Sequence, residues 1–447
     1  DNASVSPAAV QSGDGQNDQS ASIGTSEGGD QKDDSNQNTN ATTSGNGGAQ
    51  SGDEENGQGT NGNGQSGDND DQSGSDEKNE EEKYVAKIGE VKYETLKEAF
   101  AKAKSGDTIV LQKDIAESIE VRFKGELTLD LNKHSIDGGN TDRCIRSADN
   151  EELRPDKFTI KNGTLKNGKA NGSTGGAILW YGNLTVENCW FENNQNCAIQ
   201  VSKGGNVVIS DSIFKENKAR DGAAIQIAGN TTCTISGSEF LNNIASNMGG
   251  AVYVDHGTLD ITDCNFEKNS AGFGGAISVA DVEKLTIGNN TNILDNKATY
   301  GGGIYAMRST ATFEPGSTLR GNSSAYGGAI YVDTTNINIA ANSVLYNNTA
   351  TCWGGAIYAN ASNINIAANS AVYNNTATTA GADLLFNSST CTLPDAKDMS
   401  GDRILSSDKM EITGWYHDGW FKWNPEAKDG QGDFEEISRW ADGYIDE

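Results

Sequence analysis

The stretch Gly249–Asn269, GGAVYVDHGTLDITDCNFEKN, decides the fold. Gly249-Gly250-Ala251-Val252 opens a short strand in which Val252 and Val254 alternate with polar positions. Leu259 and Ile261 alternate in the same way a few residues later, and Phe266 then precedes Asn269 by three places. Alternation with a period of two and one apolar face specifies strand rather than helix.

Reading outward from this stretch, all three features recur in the same order. The glycine-led strand returns at 175–178, 274–277, 301–304, 327–330 and 354–357, with weaker copies at Cys197-Ala198-Ile199, at Gly222-Ala223-Ala224-Ile225 and at Ala380-Gly381-Ala382. The second strand returns as Leu184/Val186, Val207/Ile209, Cys233/Ile235, Leu285/Ile287, Ala311/Phe313, Ile337/Ile339 and Ile364/Ile366. The third feature places a large apolar residue three positions before Asn194, Asn217, Asn243, Asn269, Asn296, Asn322, Asn348 and Asn375. The tracks advance in steps of 21 to 27 residues, and NINIAANS occurs twice, at 336–343 and 363–370. Such a period means stacked units, each burying its apolar edge against the next. The pattern predicts an all-β right-handed parallel β-helix of about eleven coils, a rod of roughly 50 Å at ~4.8 Å per layer. Gly-Gly permits a turn that side chains would block. The recurring Asn is expected to form a structural ladder of side-chain amides that satisfies backbone groups at a buried turn.

The chain divides accordingly. Residues 1–83 carry 18 acidic residues against three Lys and almost no large apolar residue. This composition reads as a disordered acidic leader. Residues 84–113 read as an N-terminal cap of short strands plus an amphipathic helix over 94–104, with Leu96, Ala99, Phe100 and Ala103 on one face. The β-helix occupies 114–390, and 391–447 reads as a Trp-rich end with a strand pair over Met410–Trp423. The net charge of -29 argues against nucleic-acid binding, because the chain would repel phosphates. No apolar run is long enough to span a membrane as a helix. The first residue is Asp rather than Met, so a signal peptide is expected to have been removed, and any anchor is expected outside this sequence. Seven Cys without a CxxC pair argue against a metal knuckle and for thiols that fill small core sites.

Catalysis finds little support in the residues. Asn140-Thr141-Asp142 stands alone before the regular coils, and Val254-Asp255-His256 lacks flanking partner carboxylates in the sequence. The residues at or next to that position in later coils, Asp281, Arg308, Asp333 and Asn360, read as turn residues. His134, His256 and His417 read as solvated. The expectation is a non-enzyme with no catalytic residue, metal or cofactor. One outward feature has binding character. Tyr253, Tyr305, Tyr331 and Tyr358 occupy the outward position of the first strand, with Tyr326 and Trp353 just before Gly-Gly turns as a rim. They form either a ladder that stiffens a flat sheet or an exposed stacking platform for sugars or a partner's apolar groups.

The Gly-Gly-Ala-Ile and Phe-x-x-Asn pair resembles the repeats of chlamydial polymorphic outer-membrane proteins and, more broadly, of bacterial surface adhesins with a pectin-lyase-like fold. The resemblance runs from about Ile115 to Phe386. It implies a secreted or cell-surface bacterial protein that binds a host-cell surface, extracellular matrix or glycan ligand, acting as a monomer. No terminal alternating strands or final Phe suggest a translocating barrel in this chain. The acidic leader and the cap sequence look more like surface proteins of Gram-positive gut bacteria. The fold also hosts polysaccharide lyases and hydrolases, so a polysaccharide-active or carbohydrate-binding protein is the alternative, and a structural spacer of a longer surface protein is another.

Overall fold

The computed structural model describes residues 83–170, 175–367 and 370–392, together with the backbone of 404–405 and 410–411. The leader through residue 82 and the Trp-rich stretch containing Trp415, Trp420, Trp423 and Trp440 lie outside the described residues. Of the strand pair expected over Met410–Trp423, the described part is Met410–Glu411, which pairs antiparallel with Ile404–Leu405.

The described chain opens with Ala86–Ile88, which pairs antiparallel with both Val91–Tyr93 and Thr108–Leu111. Between them lies a helix, Leu96–Lys102, whose N-cap Thr95 accepts a hydrogen bond from the Glu98 amide at 3.1 Å. The helix buries Leu96, Ala99 and Phe100. It stops short of the stretch read from sequence because Ala103 is extended and the Asp107 carboxylate accepts from the Lys104 amide at 2.7 Å, turning the chain toward the next strand. Thr108–Leu111 then pairs parallel with Glu126–Asp130, so the cap's last strand is already the first rung of a stack. A covered first coil leaves no unpaired edge at that position.

Parallel pairing governs the rest. The first strand of each coil runs in one ladder through Ile119, Ile145, Ile178, Ile199, Ile225, Val252, Ile277, Ile304, Ile330, Ile357 and Leu384. Successive rungs enclose about 10 complete coils. The second strand stacks in register from Leu129 and Ile160 to Ile339 and Ile366. The third stacks from Ile136 and Leu165 to Leu345 and Val372. A short fourth strand precedes the glycine turn in later coils, as in Ser323–Tyr326 and Thr349–Trp353 before Gly-Gly and Thr376–Ala377 before Ala380-Gly381.

Because one residue type recurs at one height, the core is a set of columns. Phe191, Phe214, Phe240 and Phe266 stack with centroids 4.7, 4.9 and 4.4 Å apart and rings within 4° of parallel. All four are fully buried, each contributing about 2–3 kcal/mol by removal from water. The Gly-Gly turn is fixed by two separate demands. Gly274 has φ +67, and a Cβ on Gly275 would sit 2.0 Å from the Gly302 carbonyl oxygen of the next coil.

Beside the columns runs a file of buried amides. From Asn194 through Asn217, Asn243, Asn269, Asn296, Asn322 and Asn348 to Asn375, each Nδ2 donates to the Oδ1 of the next at 2.9–3.0 Å. Each Oδ1 from Asn217 onward also accepts the backbone N–H of the preceding Asn, as Asn269 does from Asn243 at 2.9 Å. At one end the Gly168 amide donates to Asn194 Oδ1 at 2.8 Å, and at the other Asn375 Nδ2 donates to Asp383 Oδ1 at 2.7 Å.

All seven cysteines are free thiols. Burial pushes Cys144, Cys189, Cys233 and Cys264 up to about 12, and Cys197 also upward.

Candidate functional site

The outward tyrosines form a stack, but it is not an open platform. Tyr305 and Tyr331 lie 5.3 Å apart and Tyr331 and Tyr358 5.0 Å apart, centroid to centroid. Their exposures are only 4%, 7% and 7%. This sets aside the exposed platform for these three residues and leaves the packed ladder. The cause is a second aromatic row supplied by the residue immediately before each Gly-Gly: Phe273, Tyr300, Tyr326 and Trp353. The turn lays that residue back over the outer face of the first strand. Phe273 stacks on Tyr300 at 4.9 Å and Tyr300 on Tyr326 at 5.1 Å. The outer row meets the inner one edge to face, Phe273 on Tyr305 at 5.2 Å and Tyr300 on Tyr331 at 5.4 Å, the geometry that ring quadrupoles favour. Trp353 lies against Tyr326 and Tyr358 and is 37% exposed.

Of the residues singled out from sequence, solvent therefore meets Trp353 and, in part, Tyr326 and Tyr253, and the reading missed Phe273 and Tyr300. Tyr253 stands apart, because its neighbour one coil on is the buried Ser278. Burial raises Tyr305 to about 12 and lifts Tyr331 and Tyr358 as well. Their hydroxyls stay neutral near pH 7 and can donate hydrogen bonds.

A second cluster sits at the corner between the first and second strands. His256 Nδ1 lies 2.9 Å from Asp255 Oδ1, and Arg308 Nε donates to Asp281 Oδ1 at 2.6 Å. Ligand atoms of Asp255, His256 and Asp281 all fall within 4.8 Å of one another. His256, Asp281 and Arg308 have φ of 64°, 52° and 47°, the left-handed corner conformation. The set could in principle take a cation, but Arg308 engages both Asp281 oxygens and a metal would have to displace it. That hydrogen-bonded pair holds the Asp281 carboxyl below the usual range, against a smaller opposing effect of burial. Asn140 lies at another corner, where its Oδ1 accepts from Gln195 at 3.0 Å, so the fold does not join Asn140-Thr141-Asp142 to this cluster. His134 sits 3.6 Å from Asp114, and His417 is outside the described residues.

Comparison with known proteins agrees with this architecture. The family described as right handed beta helix region matches residues 118–258. The Chlamydia polymorphic membrane protein repeat matches residues 263–280 and 342–360. The chain is thus a right-handed parallel β-helix carrying repeats of the polymorphic-membrane-protein type. Among solved structures it is similar to a mannuronic acid-specific polysaccharide family 6 lyase from human gut microbiota, at 12% identity and a TM-score of 0.34, over 64% of this chain and 78% of the other. It is also similar to the A-module of a mannuronan C-5 epimerase from Azotobacter vinelandii, at 15% identity and a TM-score of 0.27, over 67% and 93%. Likenesses this distant say nothing of activity. No curated protein matches the chain. No helix among the described residues is long and apolar enough to cross a membrane, which leaves membrane-crossing strands unaddressed.

Proposed function

We propose that the chain is a non-enzymatic, adhesin-like protein of the bacterial cell surface or of the secreted fraction. In this reading an acidic leader, residues 1–83, and a cap, 84–113, precede a rigid monomeric β-helix, 114–390, with 391–447 closing its far end. The rod presents a face to a host-cell, matrix or glycan ligand. The observation that carries the reading is the outer aromatic row Phe273–Tyr300–Tyr326–Trp353, a preformed wall in which the first three rings stack and Trp353 meets Tyr326 edge to face. The polymorphic-membrane-protein-type repeats fit a surface role. Stacked rings braced from behind lose little side-chain freedom on contact, which favours binding to sugar faces or apolar side chains.

The test is binding of the full chain to an array of mucins, plant and bacterial glycans, immunoglobulins and matrix proteins. A ligand lost in Trp353→Ala and Tyr326→Ala, with the circular dichroism of the native protein, supports the wall as the binding face. A blank array, or a ligand indifferent to both substitutions, refutes it and leaves a spacer as the simpler account.

A second reading, polysaccharide cleavage, draws on the Asp255–His256–Asp281–Arg308 corner, where two carboxylates, an imidazole and a guanidinium converge. Release of reducing or unsaturated sugar ends that vanishes in His256→Ala and Asp281→Asn would favour it over adhesion.

A further inference from the structure

Near the amino-terminal end of the coils one corner departs from the rest. Elsewhere the first and second strands are joined tightly, as by Arg308-Ser309 or Thr334-Thr335. After Ile145–Ser147 the chain instead runs through 148–156 before re-entering a strand at Lys157. This loop is organised around Arg154, which is 7% exposed. Its guanidinium donates to the Ala148 carbonyl at 2.8 Å, to the Asp149 carbonyl, and to Glu151 Oε1 at 3.2 Å. The same guanidinium lies 4.6 Å from the centre of the Tyr181 ring in the next coil, and Lys203 Nζ, one coil further, lies 5.3 Å from it.

The loop and these side chains enclose an open pocket of about 240 Å³. Its charges do not cancel. Glu151 is engaged by Arg154, and Asp156 by Lys124. Among the described residues no carboxylate is within ion-pair distance of Lys203. A net positive pocket on a chain of net charge -29 works against the long-range field, so it is a local feature of these residues. The floor is fixed before any ligand arrives, since Asn183 Nδ2 donates to the Asp156 carbonyl at 2.9 Å and Asn183 Oδ1 accepts from the Asn206 amide at 2.8 Å.

We propose that this pocket binds one anionic sugar unit, with Lys203 taking its carboxylate or sulfate and Lys124 at the rim. The volume lies below the about 300–1,000 Å³ of drug-sized sites, which fits a single ring rather than a chain of them. The inference does not rest on the aromatic wall, which belongs to later coils.

Isothermal titration calorimetry of the full chain tests it, with glucuronate and N-acetylglucosamine 6-sulfate as the two anionic probes and their neutral parents as controls. The expected result is binding of at least one anionic sugar that weakens with rising salt. Lys203→Met should weaken it about tenfold, the loss of one charge-assisted contact. Lys297→Met, at an exposed lysine of a later coil, should leave it unchanged. Which probe binds separates carboxylate from sulfate. Lys203 is exposed, so the variant is expected to fold; Lys203→Gln provides a second check. No binding of either probe, equal binding of the neutral sugars, or indifference to both Lys203 variants would overturn the proposal.

Discussion

Replacing Asn269 by alanine isolates the contribution of the amide file. Its Oδ1 accepts from the Asn243 amide at 2.9 Å and from Asn243 Nδ2 at 3.0 Å. Its Nδ2 donates to the Phe240 carbonyl at 2.9 Å and to Asn296 Oδ1 at 3.0 Å. Truncation leaves the Asn243 N–H, one Asn243 Nδ2 proton and the Phe240 carbonyl without these partners, whereas Asn296 Oδ1 still accepts from the Asn269 amide at 2.8 Å. At about 1–3 kcal/mol for each buried unpaired group, the summed cost is roughly 3–9 kcal/mol. Local relaxation favours the lower half, about 4 kcal/mol, well above the about 1 kcal/mol of an average substitution. A stack of repeats need not unfold in one step, so the assay is amide hydrogen exchange across 240–296 together with denaturant unfolding. The exposed Asn230 changed to Ala is the control, expected within about 0.5 kcal/mol of the parent. If N269A exchanges and unfolds like that control, the amide file does not stabilise the coils and the reasoning fails.

Three further outcomes follow from the geometry. Gly275→Ala drives a Cβ to 2.0 Å from the Gly302 carbonyl, so the two coils must separate; limited proteolysis should cut near this turn in the variant and not in the parent. At pH 8 a thiol reagent should label Cys352 in the native protein and leave the fully or almost fully buried Cys144, Cys189, Cys197, Cys233 and Cys264 unlabelled until denaturant is added. Arg308→Gln should raise the titration of Asp281, followed by NMR, toward the usual about 3.9. Because the folded carboxyl is depressed, the pair stabilises above that value and its contribution disappears as pH falls through the lower folded value. Both side chains are substantially exposed, so the stability at stake is at most about 1 kcal/mol.

The coils were readable because each track rests on spacing, and spacing survives changes of individual residues. Ile293, Leu319, Leu345 and Val372 continue the third-strand column begun by the phenylalanines. For Tyr305, Tyr331 and Tyr358 the outward register leaves a packed ladder and an exposed platform both open, and the structure gives the ladder. An outer sheet face is ordinarily wet, and the cover comes from a different segment. The signal was nonetheless present: Phe273 and Tyr300 precede Gly-Gly just as Tyr326 and Trp353 do. The basic pocket left no comparable trace. Arg154 looks like any charged loop residue, and Arg154, Tyr181 and Lys203 occupy no shared repeat position. Their meeting depends on a loop that breaks the period and on coil stacking that brings distant segments together.

The amide file has a direction. Every Nδ2 points to the next coil, so the file begins by accepting from the Gly168 backbone and ends with a donor that requires an acceptor. Asp383 supplies that acceptor from the position held by Ala356 one coil earlier. A carboxylate there receives but cannot pass the pattern on. Whole coils can be copied anywhere upstream without altering either terminus, and the doubled NINIAANS looks like such a copy. The amide file is extensible in the middle and closed at Asp383, so the number of its rungs can drift over generations while the two groups that close it stay the same.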